Sequence, residues 1–179
     1  PNGQFGTRLL GGKDNASARY IFTNLNHLTN LIFHQDDMPI LNYNIDDGLK
    51  IEPEYYVPII PTILVNGTEG IGTGFSTSIP CYDPIDISNN LKKMMNEEEP
   101  LEMRPWYKGF TGSIIKLDKK SYLTRANYTF EDLNTVRITE LPLGVWSDVY
   151  KEFLEDKCIY DANDKNHQNG FLINYENHG

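Results

Sequence analysis

Glycines and prolines mark where the regular elements of this chain start, turn and stop. Gly3, Gly6, Gly11 and Gly12 open it, Gly67, Gly70, Gly72 and Gly74 occupy its middle, and Pro58 and Pro61 interrupt the apolar run that precedes them. Glycine supplies backbone angles that other residues resist, and proline fixes one angle and removes a donor. The best-marked element is a helix: Asp83 caps it, Pro84 opens it, Ile87, Leu91 and Met94 form one face, and Glu97-Glu98-Glu99-Pro100 stops it. A second helix is expected from Thr23 through Leu25, Leu28, Leu31 and Ile32, and a third from a Ser147 cap through Val149, Tyr150, Phe153 and Leu154. Short strands are expected at residues 18–22, 112–117, 121–125, 135–139 and 171–173, and a tight hairpin at Asp46-Asp47-Gly48. Residues 58–65 read as buried and extended. The mixture is α+β.

The 179 residues are enough for one domain or two small ones and for a real core. Sixteen basic against 25 acidic side chains leave a net charge of −9, which argues against nucleic-acid binding by bulk charge. The distribution is uneven, however. Residues 1–20 carry Arg8, Lys13 and Arg19 against Asp14 alone, whereas residues 35–60 carry six acidic side chains against Lys50. If the protein meets an anion, the first twenty residues are where it does so; the alternative is that three cations on one loop are ordinary surface. No apolar run approaches a membrane span, and Cys81 and Cys158 are too few for a disulfide or metal framework, so a reducing compartment is the default. The absence of both a signal peptide and an initiator Met leads us to expect a piece of a longer protein.

The usual catalytic constellations are missing. Ser17, Ser76 and Ser78 lack the Gly-x-Ser-x-Gly elbow, and His27, His34, His167 and His178 read as surface histidines. The glycine run at 67–74 lacks the Gly-Lys-Ser/Thr ending of a phosphate loop. Asp36-Asp37 and Asp46-Asp47 read as solvated turns, and no metal site is expected. By composition alone, Tyr20 is a half-buried strand aromatic and Ile71 a buried residue of a tight turn.

Together, however, Gly3-Gln4-Phe5-Gly6-Thr7-Arg8, Gly11-Gly12-Lys13-Asp14 and Ala16-Ser17-Ala18-Arg19-Tyr20 resemble the active-site segment of the type IIA DNA topoisomerases, most closely the eukaryotic ones. The resemblance continues in order through residues 53–61, Val65-Asn66-Gly67-Thr68-Glu69-Gly70-Ile71-Gly72-Thr73-Gly74 and Glu140-Leu141-Pro142, thinning after about residue 145. Asn15, Ala18 and Phe75 depart from the family's usual Ser, Pro and Trp without removing a reacting group.

The resemblance implies that Tyr20 is a nucleophile toward a DNA phosphodiester, joined to the 5′ phosphate at each break. A free phenol ionises near ~10, so its proton must leave during attack while cations meet the developing charge. Arg19 matches the arginine beside the tyrosine, and Arg8 and Lys13 match basic positions suited to backbone contacts. A plain strand would send Arg19 and Tyr20 to opposite faces, so a bend or a strand end is expected there. Ile71 matches the family's isoleucine wedge, which enters between base pairs and bends the DNA.

The implied architecture is the C-terminal part of a winged-helix domain at residues 1–59 and part of a tower domain at residues 60–179. The implied partners are double-stranded DNA and a second copy of the parent chain, in the nucleus and away from membranes. Magnesium and ATP belong to the parent enzyme and bind outside this chain, so the isolated segment should not cleave DNA. The alternative of another class is a non-catalytic module that binds or bends DNA, or recruits a protein, with a structural tyrosine.

Overall fold

The computed structural model describes residues 1–119, 121–159, 163 and 170–178. The chain divides into two compact units, one comprising residues 1–24 and 111–179 and the other residues 25–110. These units cut the chain elsewhere than at residue 59/60, where the family resemblance divides it.

The unit of residues 25–110 begins with a short helix, α1 (Thr29–Ile32), and a 3-10 segment over Gln35–Ile40. A longer helix starting after Thr23 does not form. Asn26 offers its side-chain oxygen to the Leu28 amide at 3.0 Å, a local turn that competes with helix, and Leu25 is 89% exposed with nothing to pack on. Strands β1 (Tyr43–Asp46) and β2 (Leu49–Pro53) form the expected hairpin, with Asp46 opposite Leu49. Asp47 and Gly48 adopt φ of 47° and 79°, the positive angles that a two-residue hairpin loop requires.

Residues 58–65 depart from the buried extended run that was expected. Thr62–Asn66 is a short helix, α2, led in by Pro61, and Ile59 and Ile63 are exposed. Proline cannot donate within a sheet but suits the entry to a helix, so the same residues serve the second role. The glycine run that follows is a hairpin of β3 (Thr68–Gly72) and β4 (Phe75–Ile79), with Gly74 supplying a φ of 76° at the turn.

Helix α3 (Pro84–Met95) forms as its signals specify. The Asp83 carboxylate accepts from the Ile85 amide at 2.8 Å, Ile87 is buried, and Leu91 is half-buried beside it. Asn90, one helical turn from Ile87, both donates to the Leu101 carbonyl and accepts from the Leu101 amide at 2.8 Å, anchoring the segment after the helix. The helix ends with the Glu98 amide donating to the Lys93 carbonyl at 2.9 Å and Glu97 in the left-handed region at φ 61°. A side chain there costs ~1 kcal/mol or more that glycine avoids. Glu97→Gly is therefore expected to stabilise this unit by roughly 1 kcal/mol, read as a shift in denaturant midpoint at unchanged slope.

In the other unit, β5 (Ser113–Lys116) pairs with β6 (Tyr122–Arg125), and β7 (Tyr128–Phe130) with β8 (Val136–Ile138). Glu140, of the Glu-Leu-Pro motif, clasps these hairpins. Its carboxylate accepts from the Thr111 amide at 2.9 Å, and from the Thr111 hydroxyl and the Asn127 side-chain amide at 3.2 Å each. Helix α4 (Ser147–Phe153) follows, but Ser147 is its first residue and makes no capping bond; Trp146 occupies the cap position. The helix loosens into a π turn over Leu154–Cys158, whose last carbonyl accepts from the Phe171 and Leu172 amides. The strand expected at 171–173 is reduced to one bridge between Leu172 and Ile159. His167 and most of the polar stretch before it lie outside the described residues.

The substantial core expected from chain length is not present within the described residues. Among them the buried apolar side chains are Ile87, Cys158 and two prolines, Pro53 and Pro105. Each sheet is a two-stranded hairpin, which cannot cover its own faces, so apolar residues selected by strand and helix periodicity remain open to solvent.

Candidate nucleic-acid interface

Residues 1–22 fold into a closed loop whose two ends pair. Asn2 and Phe22 exchange backbone hydrogen bonds of 2.7 and 2.8 Å. Next to this closure Gly3 adopts φ 102°, where a Cβ would stand 2.8 Å from the Tyr20 carbonyl oxygen. Within the loop the Ala16 amide donates to the Gln4 carbonyl and the Gly12 amide to the Thr7 carbonyl, both at 2.9 Å.

Asp14 fastens the two motifs to each other. Its carboxylate accepts from the Thr7 amide at 2.8 Å, the Thr7 hydroxyl at 2.7 Å and the Gln4 side-chain amide at 3.2 Å. The Thr7 amide, then the Thr7 hydroxyl, hold the Asp14 carboxyl below its ordinary pKa. A lowered carboxyl pKa means that this clasp is fully made above the unfolded value of 3.8 and is lost as pH falls through the folded value. The Thr7 amide resonance is therefore expected to hold its position at neutral pH and to move only under acid below that value, as NMR titration would record. The sequence placed Asp14 in a motif without giving it a role.

Tyr20 lies at the far end of this loop, in a 3-10 turn over Ala18–Tyr20. The turn replaces the strand expected at residues 18–22, and it supplies the bend that places Arg19 beside its neighbour. The Arg19 guanidinium carbon is 5.5 Å from the centre of the Tyr20 ring, within cation–π range. The ring is 65% exposed, and among the described residues its hydroxyl makes no hydrogen bond. Arg8 and Lys13 are exposed on the same loop, and among the described residues neither they nor Arg19 has an acidic partner within ion-pair distance. The arrangement offers an accessible phenol with a guanidinium against its ring and two further uncommitted cations on a braced loop. Such a surface suits an anionic, phosphate-bearing partner.

Ile71 belongs to the other unit. It lies in β3 opposite Ser76, one residue before the Gly72–Phe75 pair that closes the hairpin, and it is 92% exposed. The buried tight-turn environment suggested by composition is not the observed one. An isoleucine at a hairpin tip, between Gly70 and Gly72, presents an unshielded apolar side chain on slender backbone. Phe75, across the same tip, is 85% exposed.

The loop carries an exposed phenol and cations, and the hairpin tip of the other unit an exposed isoleucine; comparison with known proteins gives the class. Residues 1–173 match the A-subunit model of the DNA gyrase/topoisomerase IV family, and the chain belongs to that family. Within it, the chain is similar to DNA topoisomerase 2 of Drosophila melanogaster, at 55% identity over 152 residues, covering 85% of this chain and 10% of that protein. It is also similar to DNA topoisomerase 2 of Arabidopsis thaliana, at 53% identity over 159 residues, covering 87% of this chain and 11% of that protein. Among solved structures, it is similar to the DNA-binding, cleavage and re-ligation domain of Plasmodium falciparum topoisomerase II, at a TM-score of 0.77 and 53% identity, covering 86% of this chain and 21% of that one. The chain thus spans about a tenth of the length of these curated relatives.

Proposed function

We propose that these residues form part of the DNA-cleavage and resealing core of a type II DNA topoisomerase, with Tyr20 as the nucleophile. The observation that carries this reading is the exposed Tyr20 side chain with the Arg19 guanidinium over its ring, on a cation-bearing loop inside the family match. In the proposed step the Tyr20 oxygen attacks a backbone phosphorus and gives up its proton, the bond from phosphorus to the 3′ oxygen breaks, and that oxygen leaves as a hydroxyl. The protein remains on the 5′ phosphate. The phosphoester exchange conserves bond energy, so the 3′ hydroxyl can reverse it without another energy source. Arg19 meets the charge that develops on the phosphate oxygens, and Arg8 and Lys13 hold the flanking backbone.

In this reading residues 1–59 belong to a winged-helix domain and residues 60–179 to a tower domain. Two copies of the longer protein, in the nucleus, each cut one strand so that a second duplex can pass. Magnesium and ATP are proposed to bind outside this chain. Among the described residues no three His, Cys, Asp or Glu side chains are grouped to hold a metal, and no step is assigned here to either group.

The test is denaturant-resistant capture of an end-labelled duplex by the longer protein, followed by identification of the modified peptide. The expected result is protein on the 5′ end, linked through Tyr20; a duplex that is bound but never captured sinks the catalytic reading. Ile71 has a separate expected outcome. An apolar wedge offsets the few kcal/mol of unstacking by contacts that bent DNA permits, so Ile71→Ala should remove most of the protein-induced bend, about half or more. Energy transfer between dyes on the two DNA ends measures it, and an unchanged bend dismisses the wedge.

A further inference from the structure

We infer that Trp146 is a positioning residue for the cation-bearing loop, acting through Gly11; the inference rests on the function proposed above for that loop. Gly11 has φ 61°, and a Cβ built on it would run into the Trp146 indole, with Cδ2 only 2.7 Å away. The ring thus lies against backbone that is open because the residue there has no side chain. Immediately beside this contact the Asp148 amide donates to the Leu9 carbonyl at 3.2 Å. Both tethers come from the start of α4, and both grip the stretch between Arg8 and Lys13.

This geometry complements Asp14. The Asp14 carboxylate ties Thr7 and Gln4 from within the loop, while Trp146 and the Asp148 amide hold Leu9 and Gly11 from outside it. Arg8 directly follows one tethered residue and precedes another; Lys13 directly precedes Asp14. With both sets of tethers, the two cations have little freedom to drift. With the outer set removed, the middle of the loop is held only by its own turn hydrogen bonds. Trp146 is 36% exposed and its side chain does not cap α4, so helix capping does not account for an indole at this position. Its assignment is distinct from that of Tyr20 and Arg19: it acts by fixing the loop that carries Arg8 and Lys13.

The experiment uses the longer protein with Trp146→Ala, Trp146→Phe and Gly11→Ala. Two readouts are followed: tryptic cleavage after Arg8 and Lys13, with Arg125 in β6 as the internal reference, and single-turnover formation of the 5′ adduct. Trp146→Ala is expected to speed cleavage after Arg8 and Lys13 about tenfold or more with the Arg125 rate unchanged, because local opening exposes the loop alone. It should also slow adduct formation about tenfold or more, as loss of orientation does. Trp146→Phe, which keeps a flat ring on Gly11, should restore both to within roughly threefold. Gly11→Ala, which pushes the ring off, should reproduce Trp146→Ala. Unchanged cleavage after Arg8 and Lys13 in Trp146→Ala overturns the inference. So does an Arg125 rate that rises in step in both Trp146→Ala and Gly11→Ala, which is general unfolding. Wild-type protein that binds DNA but forms no adduct overturns the proposed function instead, and the proteolysis then decides the role of Trp146 by itself.

Discussion

Tyr20→Phe in the longer protein is expected to eliminate covalent capture of DNA while leaving fold and duplex binding intact. The substitution removes one oxygen, and that oxygen makes no hydrogen bond among the described residues, so no partner is left unsatisfied. What shapes the site is kept. The 3-10 turn rests on the Tyr20 amide donating to the Ser17 carbonyl at 2.9 Å, and the Arg19 guanidinium can lie against a phenyl ring as it does against the phenol. A surface change of this kind moves stability by no more than ~0.5 kcal/mol. Chemistry is different, because the deleted atom is the proposed nucleophile. Capture should therefore fall to background while the binding curve and its salt dependence overlay those of the wild type. Persisting capture would move the nucleophile elsewhere, and a loss of binding with capture would make Tyr20 a contact residue.

What could be read from the sequence follows the range of the interactions involved. Helix α3 and the Asp46–Leu49 hairpin were legible because their determinants are local: the Asp83 cap with Pro84, and the positive φ of Asp47 and Gly48. The helix expected after Thr23 and the extended run at 58–65 were misread for a shared reason. Apolar periodicity identifies a face that needs a covering surface, and Leu25 and Ile63 are exposed here. The curated relatives are about ten times longer than the segment they share with this chain, and in proteins of that length such a pattern can be satisfied by surface outside the segment. At the site, Tyr20, Arg19 and Ile71 were given roles by resemblance to a family, since composition alone made Tyr20 and Ile71 bland structural residues and Arg19 one cation of a basic stretch. Once the resemblance paired Arg19 with Tyr20, stereochemistry required a bend or a strand end there, because two neighbours on a strand cannot share a face; the 3-10 turn is the first of these. The braces were harder to see. Asp14 pairs with Thr7 across a loop and Trp146 meets Gly11 across most of the chain, and no periodicity links either pair.

Gly6→Ala is expected to disable the same chemistry without touching a functional group. Gly6 has φ 98°, beyond the left-handed region that an alanine tolerates, and this strain alone costs roughly 1–3 kcal/mol. Its Cβ would also stand 2.5 Å from the Gly12 Cα and 2.8 Å from the Gly12 carbonyl oxygen. Both are backbone atoms, so no side-chain rotation relieves the collision; the two strands of the loop must separate. Separation pulls on the Gly12 amide bond to the Thr7 carbonyl and on the Asp14 clasp, the contacts next to Arg8 and Lys13. A displacement of about 1 Å in a positioning element can cost ~100-fold in rate, so adduct formation should slow by roughly that factor while Tyr20 stays accessible. DNA binding should carry a matching signature. Each lost phosphate contact lowers the slope of log affinity against log salt by about one, so the loss of both cations should flatten it by about two. Titrations of the longer protein across low to physiological salt measure that slope. A wild-type slope together with a wild-type rate would mean that the closed loop is dispensable, and that Arg8 and Lys13 are surface charges with no part in holding DNA.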